Sequence, residues 1–199
     1  MTVVAFVVLA YLVGSFPTSY LVGRLRGVDL REHGSGNLGA TNTFRVLGTW
    51  SAIPVLIIDV LKGLGPAAWF VTWDGSGDAR LAVVYGLAAI IGHVWSAFLG
   101  FRGGKGIATG AGVLLALAPV TTMIAVLVWV GVVSLTRMVS AASLAAASLV
   151  PLLAWLMDQP THTIAFCFVV ACFVWWTHRD NVRRLLSGTE NRFGSKGNA

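Results

Sequence analysis

Long apolar segments alternate with short polar segments along most of the chain. The apolar segments cover residues 3–23, 50–73, 81–100, 107–135, 140–157 and 162–177. A helix needs about 20 apolar residues to cross a bilayer, and most of these segments reach that length. The segment 107–135 is too long for one span and contains Pro119, so it predicts two helices with a turn there. The pattern predicts an all-α polytopic membrane protein of about seven transmembrane helices, with short or broken helices around Pro119.

Composition and charge agree with a membrane protein. Of the 199 residues 56% are hydrophobic and 11% are charged, whereas about a quarter are charged in soluble domains. The net charge is +6, but the basic residues lie between apolar segments, and no nucleic-acid-binding motif is recognisable. Their distribution predicts an outside N-terminus and a cytoplasmic C-terminus. We expect one integral-membrane domain over residues 1–199 with a polar cytoplasmic tail at 186–199. A five-span version with a re-entrant hairpin at Pro119 is the alternative.

The segment 33–45, HGSGNLGATNTFR, combines glycines with hydrogen-bonding side chains. Glycine lets a ligand approach the backbone closely, and the amides at a helix start bind anions. A helix starting after Gly39 would place Thr41, Asn42 and Arg45 on one face. The segment therefore predicts a cradle for a phosphate or acyl phosphate. Its glycines also match G-x-G-x-x-G, but no strand precedes them, so a nucleotide site is not favoured. A flexible loop is the other interpretation.

A second polar segment follows the third apolar segment and contains Arg102, Gly103, Gly104 and Lys105. It is not a P-loop, because Gly106 stands where Ser or Thr must follow the lysine. Two cations on a glycine turn before a helix still suit a phosphate. The alternative, strongest for Arg102, is an anchor that only sets membrane orientation.

The third polar segment covers residues 178–190, where a helix would place His178 and Asn181 on one face. They could together contact a substrate hydroxyl, or the segment could be an amphipathic helix whose arginines meet anionic lipid. Within the apolar segments, Asp59 and Lys62 lie at i and i+3 and predict an ion pair, with Lys62 also a candidate for the site. His93 is open between a packing role and a site role.

Taken together, these segments resemble the bacterial acyl-phosphate:glycerol-3-phosphate acyltransferases, the PlsY family. The matching stretches are residues 14–20 (GSFPTSY), 34–42 (GSGNLGATN), 59–63, 103–109 (GGKGIAT) and 178–190. They occur in the right order along nearly the whole chain. Leu38 is a departure, since the family commonly has proline there, and this change could loosen the turn.

The resemblance implies a seven-span fold and a reaction. An acyl group would move from acyl phosphate to the 1-hydroxyl of sn-glycerol 3-phosphate, giving lysophosphatidic acid and phosphate in the first acylation step of phospholipid biosynthesis. It implies no cofactor, no metal and no direct use of acyl-CoA or acyl carrier protein. The partners would be acyl phosphate, glycerol 3-phosphate and membrane lipid. The location would be the bacterial plasma membrane, with the active site facing the cytoplasm.

We assign roles to the candidate residues as hypotheses. The acyl phosphate would be held by Ser35, Gly36, Asn37, Gly39, Thr41 and Asn42. The phosphate of glycerol 3-phosphate would be bound by Arg45, Arg102, Gly103, Gly104 and Lys105, with Lys62 as a further contact. His178 and Asn181 would position its hydroxyls, and Glu190 would tie down the tail through an arginine. His33 and the leaving phosphate are equal candidates for the general base.

Other functions are less well supported by the sequence. An acyl-CoA-dependent acyltransferase typically needs H-x-x-x-x-D, which no histidine here begins. A transporter for a phosphorylated metabolite is the alternative from another class, because basic glycine turns between broken helices would suit one. The enzyme interpretation requires that the three polar segments converge at one membrane surface.

Overall fold

The computed structural model describes residues 2–193 of the chain. Met1 and residues 194–199 lie outside the described part, so most of the predicted polar tail is not covered. The described residues form α-helices and one 3-10 turn, without a β-strand among them. The helices are α1 (Thr2–Ser15), α2 (Thr18–Leu25), α3 (Ala40–Leu47), α4 (Thr49–Trp73), α5 (Leu81–Val94), α6 (Ile107–Leu117), α7 (Pro119–Thr136), α8 (Val139–Leu156), α9 (Thr161–Thr177) and α10 (Arg179–Leu186).

Several helical stretches are long and apolar enough to cross a membrane. They are Thr2–Leu25, Thr49–Trp73, Leu81–Leu99, Pro119–Thr136 and Val139–Leu156, and the pair α9 and α10, bent by 62°, would make a sixth. By contrast, α6 has 11 residues, or about 17 Å, roughly half the thickness of a bilayer core. The predicted multi-pass, all-helical architecture is confirmed, and so is the break before Pro119. Seven complete spans stay a prediction.

The first predicted span is interrupted where α1 ends and α2 begins. Pro17 lacks an N–H and disfavours helical geometry at Phe16, so the helix stops there and restarts at Thr18. The carbonyl of Phe16 is consequently available to a side chain, and Nζ of Lys62 donates to it over 3.1 Å. The interruption thus brings backbone polar groups into an otherwise apolar region.

The chain divides into two compact units, residues 1–117 and 118–199, which are described separately. In the first unit α4 packs on α5 and α6, and α1 packs on α5. Glycines let α4 and α6 approach closely. A Cβ on Gly63 would lie 2.0 Å from the carbonyl oxygen of Thr109, and one on Gly112 would lie 2.0 Å from that of Val60. Such small-residue packing is typical of membrane helices.

The second unit contains α7, α8 and α9, with α8 packed against both neighbours. Two tryptophans bind serines of α8 through their indole N–H groups. Trp129 donates to Ser143 over 3.2 Å, and Trp175 donates to Ser148 over 3.0 Å. After α10, the N–H of Phe193 donates to the carbonyl of Arg137 over 2.7 Å. The residues that follow α10 are therefore held against the turn between α7 and α8.

Candidate functional site

Asn42 organises the first polar segment. Its side chain is 1% exposed. The Nδ2 group donates to the carbonyls of Leu30 and His33 over 3.1 and 3.0 Å, while Oδ1 accepts the N–H of Ser35 over 2.8 Å. Asn42 therefore fixes the shape of the loop in front of α3. The amide groups of Asn42 are thus already hydrogen-bonded to the backbone of the loop. A contact of Asn42 with acyl phosphate stays a prediction.

Gly34 is required at the turn that Asn42 holds. Its φ is +65°, in the left-handed region that favours glycine. In addition, a Cβ on Gly34 would lie 2.3 Å from Oδ1 of Asn42. Any larger residue here would displace the amide that bonds Ser35.

The helix predicted after Gly39 is confirmed as α3, with Gly39 as its N-terminal cap. The first amides of a helix have no acceptor within it and therefore point outward. Buried hydroxyls join α3 to α2, because Thr43 donates to the carbonyl of Gly39 and shares a 2.8 Å hydrogen bond with Ser19. Arg45 lies one turn beyond Asn42, with Nη1 3.5 Å from its Oδ1. The loop and α3 thus carry the hydroxyl of Ser35, the first amides of the helix and the guanidinium of Arg45 on one short segment.

His33 is exposed and has a defined orientation. Its Nδ1 lies 2.9 Å from the carbonyl of Asp29, so Nδ1 carries the proton and Nε2 is the basic nitrogen of the neutral ring. Asp29 also accepts hydrogen bonds from Arg31, which lower the pKa of its carboxyl to about 2. The guanidinium of Arg31 stacks over Tyr20 at 4.9 Å. The geometry of His33 suits its predicted role as the general base, for which the leaving phosphate is the other candidate.

The second polar segment packs tightly against the end of α5. The N–H of Gly104 donates to the carbonyl of His93 over 3.1 Å. A Cβ on Gly104 would lie 2.1 Å from Nε2 of His93 and 2.8 Å from the carbonyl oxygen of Leu38. Lys105 is half-buried, and α6 begins two residues later at Ile107. The Gly103–Gly104 turn therefore lies between α5 and the first polar segment.

The first two polar segments line one small cavity in the first unit. Leu38 comes from the first segment, Gly103 and Gly104 come from the second, and Lys62 reaches it from α4. Hydroxyl groups from the interruption between α1 and α2 line it as well. The cavity measures about 10 Å³ as space for the centre of a water molecule, which is room for about one water.

A buried ionic cluster forms one wall of this cavity. Nζ of Lys62 lies 2.8 Å from Oδ1 of Asp59, which confirms the predicted ion pair. Nδ1 of His93 lies 3.9 Å from the same carboxylate oxygen. All three side chains are at most 7% exposed. A direct contact of Lys62 with substrate stays a prediction.

The third polar segment lies in the second unit. His178 ends α9, and its Nδ1 donates to the carbonyl of Val174 over 2.8 Å, so Nε2 is the basic nitrogen of the neutral ring. Asn181 donates to Oε1 of Glu190 over 2.8 Å, and Arg184 donates to Oε2 over 2.9 Å. The predicted contact between Glu190 and an arginine is therefore confirmed. Convergence of this segment with the other two stays a prediction.

The predicted site residues differ in exposure. Exposed residues are His33, Ser35, Arg45 and Arg102; half-buried residues are Gly36, Asn37, Gly39, Thr41, Gly103, Lys105 and Glu190; buried residues are Asn42, Lys62, Gly104, His178 and Asn181. Within residues 2–193, three or more His, Cys, Asp or Glu side chains are nowhere grouped as metal ligands.

Several residues that line the cavity were not among the predicted site residues. Ser15, Thr18 and Ser96 are buried, and Oγ of Ser96 donates to the carbonyl of Ser15 over 2.6 Å. For Ser15 and Thr18 the signal in the sequence was a pair of hydroxyl residues beside Pro17 in an apolar segment, where a helix break exposes carbonyls. The role of His93 was left undecided, because its partners lie on other helices.

Comparison with known proteins extends these observations. A family model described as "Glycerol-3-phosphate acyltransferase" matches residues 4–188. The glycerol-3-phosphate acyltransferase of Halalkalibacterium halodurans is 45% identical over 192 residues, covering 94% of this chain and 93% of that protein. The enzyme of the same name from Geobacter sulfurreducens is 45% identical over 184 residues, covering 92% and 94%.

Solved structures agree with the sequence comparison. The crystal structure of PlsY (YgiH), an integral membrane glycerol 3-phosphate acyltransferase, in its glycerol 3-phosphate form has a TM-score of 0.92 and 38% identity, covering 98% of this chain and 97% of that one. Its lysophosphatidic acid form has a TM-score of 0.90 and 37% identity over the same shares of the two chains. These similarities support an acyltransferase rather than a transporter. The chain belongs to the glycerol-3-phosphate acyltransferase family.

Proposed function

We propose that this protein transfers an acyl group from acyl phosphate to the 1-hydroxyl of sn-glycerol 3-phosphate. The products are lysophosphatidic acid and inorganic phosphate. The C–O bond between the acyl carbon and the phosphate breaks, a new ester bond forms, and the hydroxyl proton leaves with a base. The solved relatives in glycerol 3-phosphate and lysophosphatidic acid forms support this acceptor and product.

The observation that carries the proposal is the close approach of Gly104 to the carbonyl of Leu38, which brings the first two polar segments together. Each segment is followed at once by a helix, α3 after Gly39 and α6 after Gly106. Outward-pointing amides at helix starts favour anions. Arg45 and Lys105 add two positive charges to these same segments. An arrangement of this kind suits two phosphate-bearing substrates that meet at one place.

Acyl phosphate is already activated, so the protein mainly has to align the substrates and stabilise negative charge. In the proposal, Ser35 and the amides between Gly36 and Thr41 hold the acyl phosphate. Arg45 and Lys105, with the Gly103–Gly104 turn, hold the phosphate of glycerol 3-phosphate. Arg45 suits this role because a guanidinium binds phosphate through two parallel hydrogen bonds.

His178 and Asn181 are proposed to be needed for recognition of the glycerol hydroxyls. Asn181 is oriented by Glu190, which Arg184 also binds. The proton acceptor is either Nε2 of His33 or the leaving phosphate. The His33→Gln variant distinguishes these two candidates, because activity should be lost only if Nε2 of His33 is the proton acceptor.

The membrane arrangement is part of the proposal. We propose that residues 1–199 form one integral-membrane domain with about seven transmembrane helices in the bacterial plasma membrane. The N-terminus is outside, while the polar segments and the tail face the cytoplasm. The excess of arginine and lysine in those segments supports this orientation. Labelling Ser76→Cys and Ser187→Cys in intact cells tests it, each in a chain whose Cys167 and Cys172 are replaced by serine. Only the first is expected to react with an impermeant reagent.

A reconstituted assay tests the reaction. The full-length protein, purified in detergent, is incubated with acyl phosphate and labelled glycerol 3-phosphate. We expect labelled lysophosphatidic acid and one phosphate released per ester formed, without a membrane potential. Acyl-CoA in place of acyl phosphate should give no product. Product from acyl-CoA alone, or none from acyl phosphate, would refute the proposed donor.

A further inference from the structure

The imidazole of His93 lies between a buried ion pair and the glycine turn of the second polar segment. Its Nδ1 edge faces Oδ1 of Asp59 at 3.9 Å. Its Nε2 edge faces Gly104 so closely that a Cβ there would lie 2.1 Å away. The backbone carbonyl of His93 also accepts the N–H of Gly104. One residue of α5 therefore contacts the turn through both its ring and its backbone.

The ion pair behind His93 is fixed in turn by the interruption of the first helix. Nζ of Lys62 forms an ion pair with Oδ1 of Asp59 at 2.8 Å and donates to the carbonyl of Phe16 at 3.1 Å. Charges buried inside a membrane protein are costly and are usually paired or functional. Here the pair ties α4 to the end of α1 and presents its carboxylate to His93.

The cluster is nearly closed off in this structure, because the adjoining cavity has room for about one water molecule. It can act on the rest of the site through the groups that it contacts. Gly104 is followed by Lys105, and the same turn contacts the carbonyl of Leu38 in the first segment. A displacement of the His93 ring would change the position of both segments.

We propose that His93, packed beside the Asp59–Lys62 ion pair, is a positioning residue that sets the Gly103–Gly104 turn and through it Lys105. This inference rests on the proposed function, in which Lys105 binds the phosphate of glycerol 3-phosphate. In this proposal, His93 contacts neither the substrate nor the reacting atoms. It acts on substrate affinity by holding the turn in place.

The test compares His93→Ala with Tyr85→Phe, a matched control on the same helix. Tyr85 is fully buried and donates to Oδ2 of Asp74 over 2.5 Å, so its replacement also removes a buried interaction, but away from the turn. We expect both variants to unfold at a lower temperature. Only His93→Ala should raise KM for glycerol 3-phosphate, by about tenfold or more, with a smaller change in kcat.

A second variant keeps the test decisive if His93→Ala does not fold. The double variant Asp59→Asn with Lys62→Met removes both buried charges at similar volume, which proteins often tolerate. It should raise KM for glycerol 3-phosphate in the same way and also speed amide exchange at residues 103–106, which the loss of a Lys62 contact with substrate would not do by itself. Folded variants with wild-type KM values would overturn the proposal.

Hydrogen exchange separates this inference from the proposed function, because it needs no turnover. The amides of residues 103–106 should exchange faster in His93→Ala, or in the double variant, than in Tyr85→Phe. Equal exchange in all of them would overturn the positioning role. If the wild-type protein forms no lysophosphatidic acid, the proposed function fails, and the exchange result still decides whether His93 holds the turn.

Discussion

Oδ1 of Asn42 accepts the backbone N–H of Ser35 over 2.8 Å, across seven residues of sequence. Through this bond the start of α3 holds the loop that precedes it. Its Nδ2 group meanwhile satisfies two carbonyls of the same loop. The position of Ser35 therefore depends on a buried amide rather than on the local turn alone.

Replacing Asn42 by alanine should disorder this loop. A buried donor or acceptor that loses its partner costs about 1–3 kcal/mol. We expect a lower unfolding temperature in detergent and a fall in kcat/KM of about tenfold or more. Asn42→Asp should behave similarly, because a carboxylate cannot donate to the carbonyls of Leu30 and His33. Wild-type kinetics in Asn42→Ala would show that the loop does not need this amide.

Replacing Arg45 tests the proposed phosphate contact. Hydrogen bonds to charged groups contribute about 1.5–3 kcal/mol, so Arg45→Ala should lower kcat/KM for glycerol 3-phosphate by about 10-fold to 100-fold. Arg45→Lys should recover part of this loss, because it keeps the charge without the two-pronged geometry. Steady-state kinetics with each substrate varied in turn provide the measurement. Near-normal kinetics in Arg45→Ala would remove this residue from the proposed site.

Adding one methyl group at Gly104 should damage both stability and activity. The new Cβ would lie 2.1 Å from His93 and 2.8 Å from the carbonyl of Leu38, so the turn must move. The control is Gly131→Ala in α7, where nothing lies within 4 Å of the added Cβ. That change should be neutral or stabilising by up to about 1 kcal/mol. Thermal unfolding and initial rates compare the two, and equal behaviour would contradict the packing described at the turn.

The contacts of Glu190 should contribute more to stability than an exposed ion pair on α10. Glu190 binds both Asn181 and Arg184, and its carboxylate side chain is 5% exposed. By contrast, Asp180 and Arg183 form an exposed pair at 3.4 Å, and such pairs contribute about 0–1 kcal/mol. We expect Glu190→Ala to lower the unfolding temperature and the rate, and Asp180→Ala to change neither. A Glu190→Ala variant with the wild-type unfolding temperature and rate would contradict a stabilising role for these contacts.

The Asp29–Arg31 pair should persist in mild acid. Hydrogen bonds from Arg31 lower the pKa of the Asp29 carboxyl from 3.8 to about 2. A lowered pKa in the folded state means that the stabilisation is fully present above about pH 3.8 and is lost as the pH falls towards 2. The difference in unfolding temperature between wild type and Asp29→Asn should therefore be the same at pH 8 and pH 5. It should shrink below pH 4, and a change between pH 8 and 5 would contradict this assignment.

The sequence by itself determined the helical membrane class, the break before Pro119 and the helix after Gly39. These features follow from local physics, because apolar length, proline geometry and glycine caps act within a few residues of the chain. Family membership was also readable from the sequence, since several short motifs occur in one order. The Asp59–Lys62 pair was predictable because both residues lie within one helical turn.

Only the tertiary structure decided which residues serve the site indirectly. Asn42 reads as a ligand in sequence, but folding turns its amide towards carbonyls of a loop up to twelve residues away. The environment of His93 is formed by Asp59 on α4 and by Gly104, and both residues lie outside the helix that carries His93. Contacts between residues distant in sequence depend on how helices pack, and a one-dimensional pattern does not encode that packing.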